Sequence, residues 1–295
     1  MKPYQRILHP VDLNEISRPA FCHALKVGLC ATGFPVREPE HRRPAMLEML
    51  HCHDDGNGPA FARFPQVRKS LVKWGVLEDG AEPLAVRELG LSVRKQWVHG
   101  QPRQAIVRET EGRHCDLLVM ASHARAGWSH FLNHSVSAPA LQACRVPGLL
   151  IPHDCQGFVH AESGHLRLQR ILLPVAPEPQ AGPALSAAVR LLFTLQPSLG
   201  DLGGQLMQAF VGPESAFPET QRPVPPVGWS WERQVLEGRP VEALQRFARQ
   251  WQPQLVVMTS RGQRSWRDRC FGSTAEKLLH DLGCPVLVVP SPEAN

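Results

Sequence analysis

Short apolar runs alternate with stretches of helical periodicity along most of the chain. "RILHPV" from Arg6 to Val11 and "LLVM" from Leu117 to Met120 are continuous apolar segments, the pattern of strands covered on both faces in a parallel sheet. Beyond Asn14 and Ser17, both suitable helix caps, Phe21, Leu25 and Leu29 recur every four residues until Gly33, which predicts a helix. Val67, Leu71, Trp74 and Leu77 repeat the spacing inside "FPQVRKSLVKWGVL", Phe64 to Leu77. Strand, helix and strand in succession imply right-handed crossovers and a doubly wound α/β sheet.

The pattern is written twice. "QRILHPV" at Gln5–Val11 returns as "QRILLPV" at Gln169–Val175, with six of seven positions identical. "GQPRQAI" from Gly100 returns as "GRPVEAL" from Gly238, "DLLVMAS" from Asp116 as "QLVVMTS" from Gln254, and "VPGLLIP" from Val146 as "CPVLVVP" from Cys284. Matches in one order along the chain mark a duplicated domain. The offset falls from 164 to 138, so copy two is 26 residues shorter between its first and fourth strands. Where copy one has the Val67–Leu77 stripe, copy two has "PESAFPETQRPVPPVGW", Pro213 to Trp229. Prolines lack an amide donor and push the preceding residue out of the helical region, so one covering helix is expected to be replaced by an extended loop. The polar, glycine-bearing "HDCQGFVHAESGH", His153 to His165, reads as the linker, giving expected domains at 1–153 and 166–292. The apolar closing strands Val146–Pro152 and Cys284–Pro290 would be exposed edges in isolated domains. They are expected to cover each other in an internal pseudo-dimer.

Composition adds little constraint. The 295 residues are 43% hydrophobic and 20% charged, ordinary for a globular chain long enough for two domains. No apolar run approaches the length of a membrane span, and the start has no long apolar segment of the kind that directs secretion. The eight cysteines form no CxxC pair, which suits reduced thiols, so a cytoplasmic location is expected. A net charge of +5 favours small anions over nucleic acid, which calls for a denser basic stripe.

The candidate chemistry sits after the fourth strand of each copy. In copy two, "MTSRGQRSWRDRCFGST", Met258 to Thr274, places Gly262 and Gly272 among Arg261, Arg264, Arg267 and Arg269. Glycines let backbone amides approach a phosphate, a following helix N-terminus adds free N–H groups, and Ser273 and Thr274 add hydroxyls. The same glycines could simply end a strand and begin a helix. The equivalent stretch of copy one, "MASHARAGWSHFLNHSV", Met120 to Val136, lacks the pair.

The opening "ILHPVD", the G-x-P turns, "LLVMASHARAG", "LVVMTSRG" and "CPVLVVP" resemble the universal stress protein family in its tandem form. The resemblance implies Rossmann-like domains of the adenine nucleotide alpha hydrolase type. It also implies an ATP site built from G-x2-G-x9-G-[ST] and an aspartate that ends the first strand. Copy one keeps that aspartate as Asp12 and the hydroxyl as Ser135, but Ala121, Ala124 and His134 stand at the three glycine positions. Copy two has Thr259, Gly262, Gly272 and Ser273 in the loop but Ala176 where the aspartate belongs. Each copy has lost the half that the other retains. The resemblance therefore points to a nucleotide site in copy two formed by Pro174, Met258, Thr259, Arg261, Gly262, Gly272, Ser273 and Thr274. In copy one it points to a degenerate site of Asp12, Met120, Ala121, His123, Ala124, His134, Ser135 and Val136.

Other chemistry is set aside. His51 and His53 of "HCHDD" fall on one side of a strand, and His123, His130 and His134 lie on a loop, but no HExxH or CxxC motif supports a metal. No metal is expected beyond Mg accompanying a nucleotide. No G-x-S-x-G elbow or Walker G-x4-G-K-[ST] motif is present, so no enzyme is expected. Trp128 and Trp266 occupy equivalent loop positions, where packing or a partner contact is expected ahead of base stacking. The expectation is a stress-response protein that binds or senses ATP or another adenine nucleotide weakly, chiefly through copy two. It has an unidentified protein partner, no nucleic acid or membrane partner, and room for a homodimer. A protein-interaction module with decayed sites and, less so, a slow ATPase are the alternatives.

Overall fold

A computed structural model describes residues 1–13, 18–53, 61–122, 140–141, 143–260 and 283–291. Copy one runs β1 (Arg6–Pro10), α1 (Arg18–Ala31), β2 (Ala45–His53), α2 (Val67–Lys73), α3 (Pro83–Glu88), β3 (Leu91–His99), α4 (Pro102–Gly112), β4 (Leu117–Ser122) and β5 (Gly148–Pro152). Copy two runs β6 (Arg170–Pro174), α5 (Gly182–Leu199), β7 (Gly204–Val211), β8 (Trp229–Leu236), α6 (Pro240–Trp251), β9 (Leu255–Ser260) and β10 (Val286–Pro290). The repeated G-x-P turn has a simple basis. Gly100 and Gly238 take φ of +115° and +106°, which glycine tolerates, and the proline two residues on opens α4 or α6 with the fixed φ a helix needs.

The two copies form one ten-stranded sheet in the order β3-β2-β1-β4-β5-β10-β9-β6-β7-β8. Every pairing is parallel except β5 with β10, which is antiparallel with Leu149 opposite Leu287. The closing strands thus cover each other, as expected, and the internal pseudo-dimer is a continuous sheet. One apolar core lies on the α1/α5 side and spans both copies, while a second lies on the α4/α6 side. Every residue of α1 from Ala20 to Ala31 is buried, because this helix lies between the sheet, α5 and the segment joining the copies. Polar contacts reinforce the junction. Cys30 Sγ–H donates to Ser198 Oγ at 3.1 Å, the Tyr4 amide donates to Thr194 Oγ1 at 3.0 Å, and the Arg190 guanidinium lies 4.0 Å from the Tyr4 ring centre.

Two details extend the sequence expectations. The Val67–Leu77 stripe is helical only to Lys73, and Trp74 and Leu77 pack on the core from beyond the helix end. In copy two, both α2 and α3 lack a counterpart. Between β7 and β8 there is one 3-10 turn, Glu214–Ala216, followed by irregular chain. The joining segment is also more than a tether. Phe158, Val159 and Leu168 are fully buried, and Trp74 Nε1 donates to the Ala161 carbonyl at 3.0 Å. His23 Nε2 accepts the amides of Phe158 and Val159 at 3.0 and 3.2 Å.

Candidate functional site

In an open α/β sheet, ligands sit beyond the carboxyl ends of the strands where the winding reverses. That point lies between β1 and β4 in copy one and between β6 and β9 in copy two. The structure places Asp12 just past β1, with Met120 and Ala121 at the end of β4, so these three expected positions meet at the first switch point. Pro174 ends β6, and Met258 and Thr259 lie near the end of β9, so they meet at the second. Ala176, at the aspartate position, follows two residues after Pro174 and is partly exposed. The remaining expected site residues, His123, Ala124, His134, Ser135, Val136, Arg261, Gly262, Gly272, Ser273 and Thr274, lie outside the described residues, as do Trp128, His130 and Trp266.

The switch points differ in chemistry. In copy one, the fully buried His9 lies on β1 with Nδ1 donating to the Val119 carbonyl of β4 at 2.9 Å. Its Nε2 is buried without a hydrogen-bond partner. Burial pulls its pKa down to about 4, partly opposed by the Val119 hydrogen bond and the Asp12 charge, so the imidazole is neutral at ordinary pH. Copy two has the equally buried Leu173 at the equivalent position. Near the end of β9 the Thr259 hydroxyl is buried and without a partner among the described residues, as is the Ser122 hydroxyl at the end of β4 in copy one. An orphaned hydroxyl costs desolvation unless something completes its bonding. A polar ligand group seated beyond β9 fits that requirement.

The histidine pair of "HCHDD" is resolved as stacked rings on one face of β2, 6.5 Å apart. His51 Nδ1 is engaged by the Val11 carbonyl at 2.7 Å, and the His53 ring packs edge-on against Trp97 at 4.9 Å. Among the described residues no three His, Cys, Asp or Glu side chains are grouped to hold a metal ion. The described cysteines, Cys22, Cys30, Cys52, Cys115, Cys144, Cys155 and Cys284, are free thiols. No helix among the described residues is long and apolar enough to cross a membrane.

Two buried polar features near the strand ends escape motif reading. His9 could have been flagged, because it is the single mismatch between "QRILHPV" and "QRILLPV". The pairing of buried Gln208 with Arg222, whose Nε donates to Gln208 Oε1 at 2.7 Å, carries no sequence signal. It depends on how the proline-rich loop folds back over β7.

Comparison with known proteins agrees with this architecture. The family model described as "Universal stress protein family" matches residues 3–152 and 220–290, and the chain belongs to that family. A universal stress protein of Methanocaldococcus jannaschii is 35% identical over 60 residues, which is 20% of this chain and 35% of that protein. The chain thus matches only about a third of that relative's length. The crystal structure of a universal stress protein from Archaeoglobus fulgidus superposes with a TM-score of 0.61 at 17% identity, covering all of both chains. A putative universal stress protein from Pseudomonas aeruginosa superposes with a TM-score of 0.56 at 15% identity, covering 98% of this chain and 93% of that one. These likenesses establish the tandem fold.

Proposed function

We propose that this protein acts in a stress response by binding or sensing an adenine nucleotide weakly through copy two, without turning it over, in the cytoplasm. The observation that carries the reading is the uneven distribution of site residues between the copies. Copy two keeps Gly262, Gly272 and Ser273 in the sequence beyond β9, near whose end Thr259 has a buried hydroxyl without a partner among the described residues. Copy one keeps Asp12 but has His134 where phosphates would approach a helix start. An imidazole there obstructs the family's phosphate pose, whereas alanine at a glycine position adds strain of roughly 1 kcal/mol or more wherever φ is positive. Copy two lacks chiefly one acidic group, at Ala176.

Isothermal titration with ATP tests this directly. Ala176→Asp should tighten binding about tenfold, the equivalent of about 1.4 kcal/mol for one charged hydrogen bond. Gly272→His should abolish binding, and Ala124→Gly should leave it unchanged. If Ala176→Asp leaves affinity unchanged or weakens it, the ligand of copy two does not adopt the family's pose.

A second reading, an interaction module with decayed sites, is favoured by one observation. Val224 and Val227 of the proline-rich loop are 82% and 89% exposed, an apolar display that the fold itself does not use. Mass spectrometry of the purified protein separates the two readings, since co-purified nucleotide supports the first. Phosphate release abolished by Gly272→His would point instead to a slow ATPase.

A further inference from the structure

Copy one has a cavity that copy two cannot form. It lies between the end of β1, the start of α1 and α2, has a volume of about 310 Å³, and is lined by Val11 and Leu13 on either side of Asp12 and by no residue of β4. Its inner wall is apolar. Val11 and Phe21 are almost fully buried, and Leu13 and Pro65 complete the surface. Its rim carries Arg18, Arg63, Lys69 and Lys73. Cations gathered around one hollow repel one another, and a concave apolar wall strengthens the field they project into it.

The molecule itself supplies an oxyanion to part of this rim. Glu162, from the segment joining the copies, forms ion pairs with Arg18 at 2.7 Å and with Lys73. These two cations pull its acid pKa below the ordinary glutamate range. Arg63 and Lys69 have no acidic partner among the described residues. Half of the rim is thus answered by a carboxylate, and the other half has no acidic partner among the described residues.

We propose that this cavity binds a small amphipathic organic anion. Its ring or short alkyl body lies on Val11, Phe21 and Pro65, and its phosphate or carboxylate head lies on Arg63 and Lys69. The volume is at the lower end for ligand pockets and suits a molecule of roughly ten non-hydrogen atoms rather than a nucleoside triphosphate. Copy two lacks the site because α2 is absent there and Gly182 stands at the position of Arg18. The inference is independent of the nucleotide reading for copy two.

Titration of the full chain with phenyl phosphate and benzoate, against inorganic phosphate and benzyl alcohol, tests it. At least one of the two amphipathic anions should bind tenfold or more tightly than either fragment control, and the tighter one identifies the head group. Arg63→Gln and Lys69→Gln should each weaken that binding by roughly three- to tenfold, since charged hydrogen bonds at a partly exposed site are worth about that much. Ser70→Phe, which fills the cavity from α2 and keeps all four charges, should abolish it while thermal melting shows a folded chain. Inorganic phosphate binding as tightly as phenyl phosphate would overturn the proposal, because the rim would then be a charged patch without a pocket. Loss of the binding in Gly272→His, with Arg63→Gln silent, would also overturn it by moving the ligand to copy two.

Discussion

At one level of the sheet, copy one sets His9 on β1 beside Met49 on β2, whereas copy two sets Leu173 on β6 beside Gln208 on β7. All four side chains are fully buried. Each copy therefore buries one polar group here, but on the opposite strand of the pair. What covers the sheet accounts for the difference. Met49 shares its apolar core with Phe64 and Leu71 from the α2 region. His9 donates from Nδ1 to the Val119 carbonyl of the neighbouring strand and leaves Nε2 without a partner among the described residues. Gln208 presents both a donor and an acceptor, and the proline-rich loop answers both, with Thr220 Oγ1 at 3.1 Å and Arg222 Nε at 2.7 Å. In copy two the proline-rich loop stands where the helices are missing and satisfies the buried glutamine, whereas an amide in an apolar surround would be left unsatisfied.

The largest test of the comparison asks whether the copies are separable at all. Leu149 and Leu287 face each other across β5 and β10 and are fully buried in the shared core. Leu287→Asp puts an unpaired charge there and should cost at least about 4 kcal/mol, a large share of a domain's usual stability. Urea unfolding followed by tryptophan fluorescence and circular dichroism should show both copies lost together. A surviving transition at the wild-type midpoint would mean that copy one folds independently of the seam.

Acid should expose the next difference. Burial holds both His9 and His23 neutral, with pKa values near 4 in the folded chain, and copy two has Leu173 and Ala187 at the equivalent positions. An unfolded histidine titrates near ~6.5, so the unfolded chain takes up protons that the folded one refuses. The stabilisation is complete above about pH 6.5 and is lost as the pH falls toward 4, by a few kcal/mol for the two together. Chemical denaturation at pH 7 and pH 5 measures the loss. His9→Leu, which installs the copy-two residue, should remove about half of the pH dependence, and an unchanged slope would show that His9 is not held neutral.

The smallest effect concerns the glutamine and the loop. Gln208→Met, which installs the copy-one residue, should cost about 1–3 kcal/mol by leaving Arg222 Nε without its acceptor. Arg222→Met in the same background should recover part of that loss. The coupling energy from the double-mutant cycle should be about 1 kcal/mol, and a value of zero would mean that loop and glutamine are unrelated.

The fold was legible from residue order because it is encoded locally and repeatedly. Continuous apolar runs gave the strands, the Phe21–Leu25–Leu29 spacing gave α1, and four repeated segments gave the duplication. The site was legible only as residue types at motif spacing. Asp12, Met120 and Ala121 meet at one switch point, and Pro174, Met258 and Thr259 at the other, because sheet topology brings strand ends together wherever the winding reverses. The buried partners were not legible. Hydrogen bonds such as His23 to the Phe158 amide join positions 135 residues apart, and no local pattern registers them.

The sequence by itself determined the two α/β units, the G-x-P turns and the complementary losses of glycine and aspartate, since each depends on short-range spacing and on which residue types tolerate a given backbone. It also anticipated the pairing of the closing strands, because an apolar edge must be covered. Tertiary structure alone decided which buried polar groups are satisfied, how the joining segment is held by His23 and Trp74, and where four cations converge beside an apolar wall. Those outcomes depend on distances between residues far apart in the chain, and they are fixed only once the whole sheet and its two covers are in place.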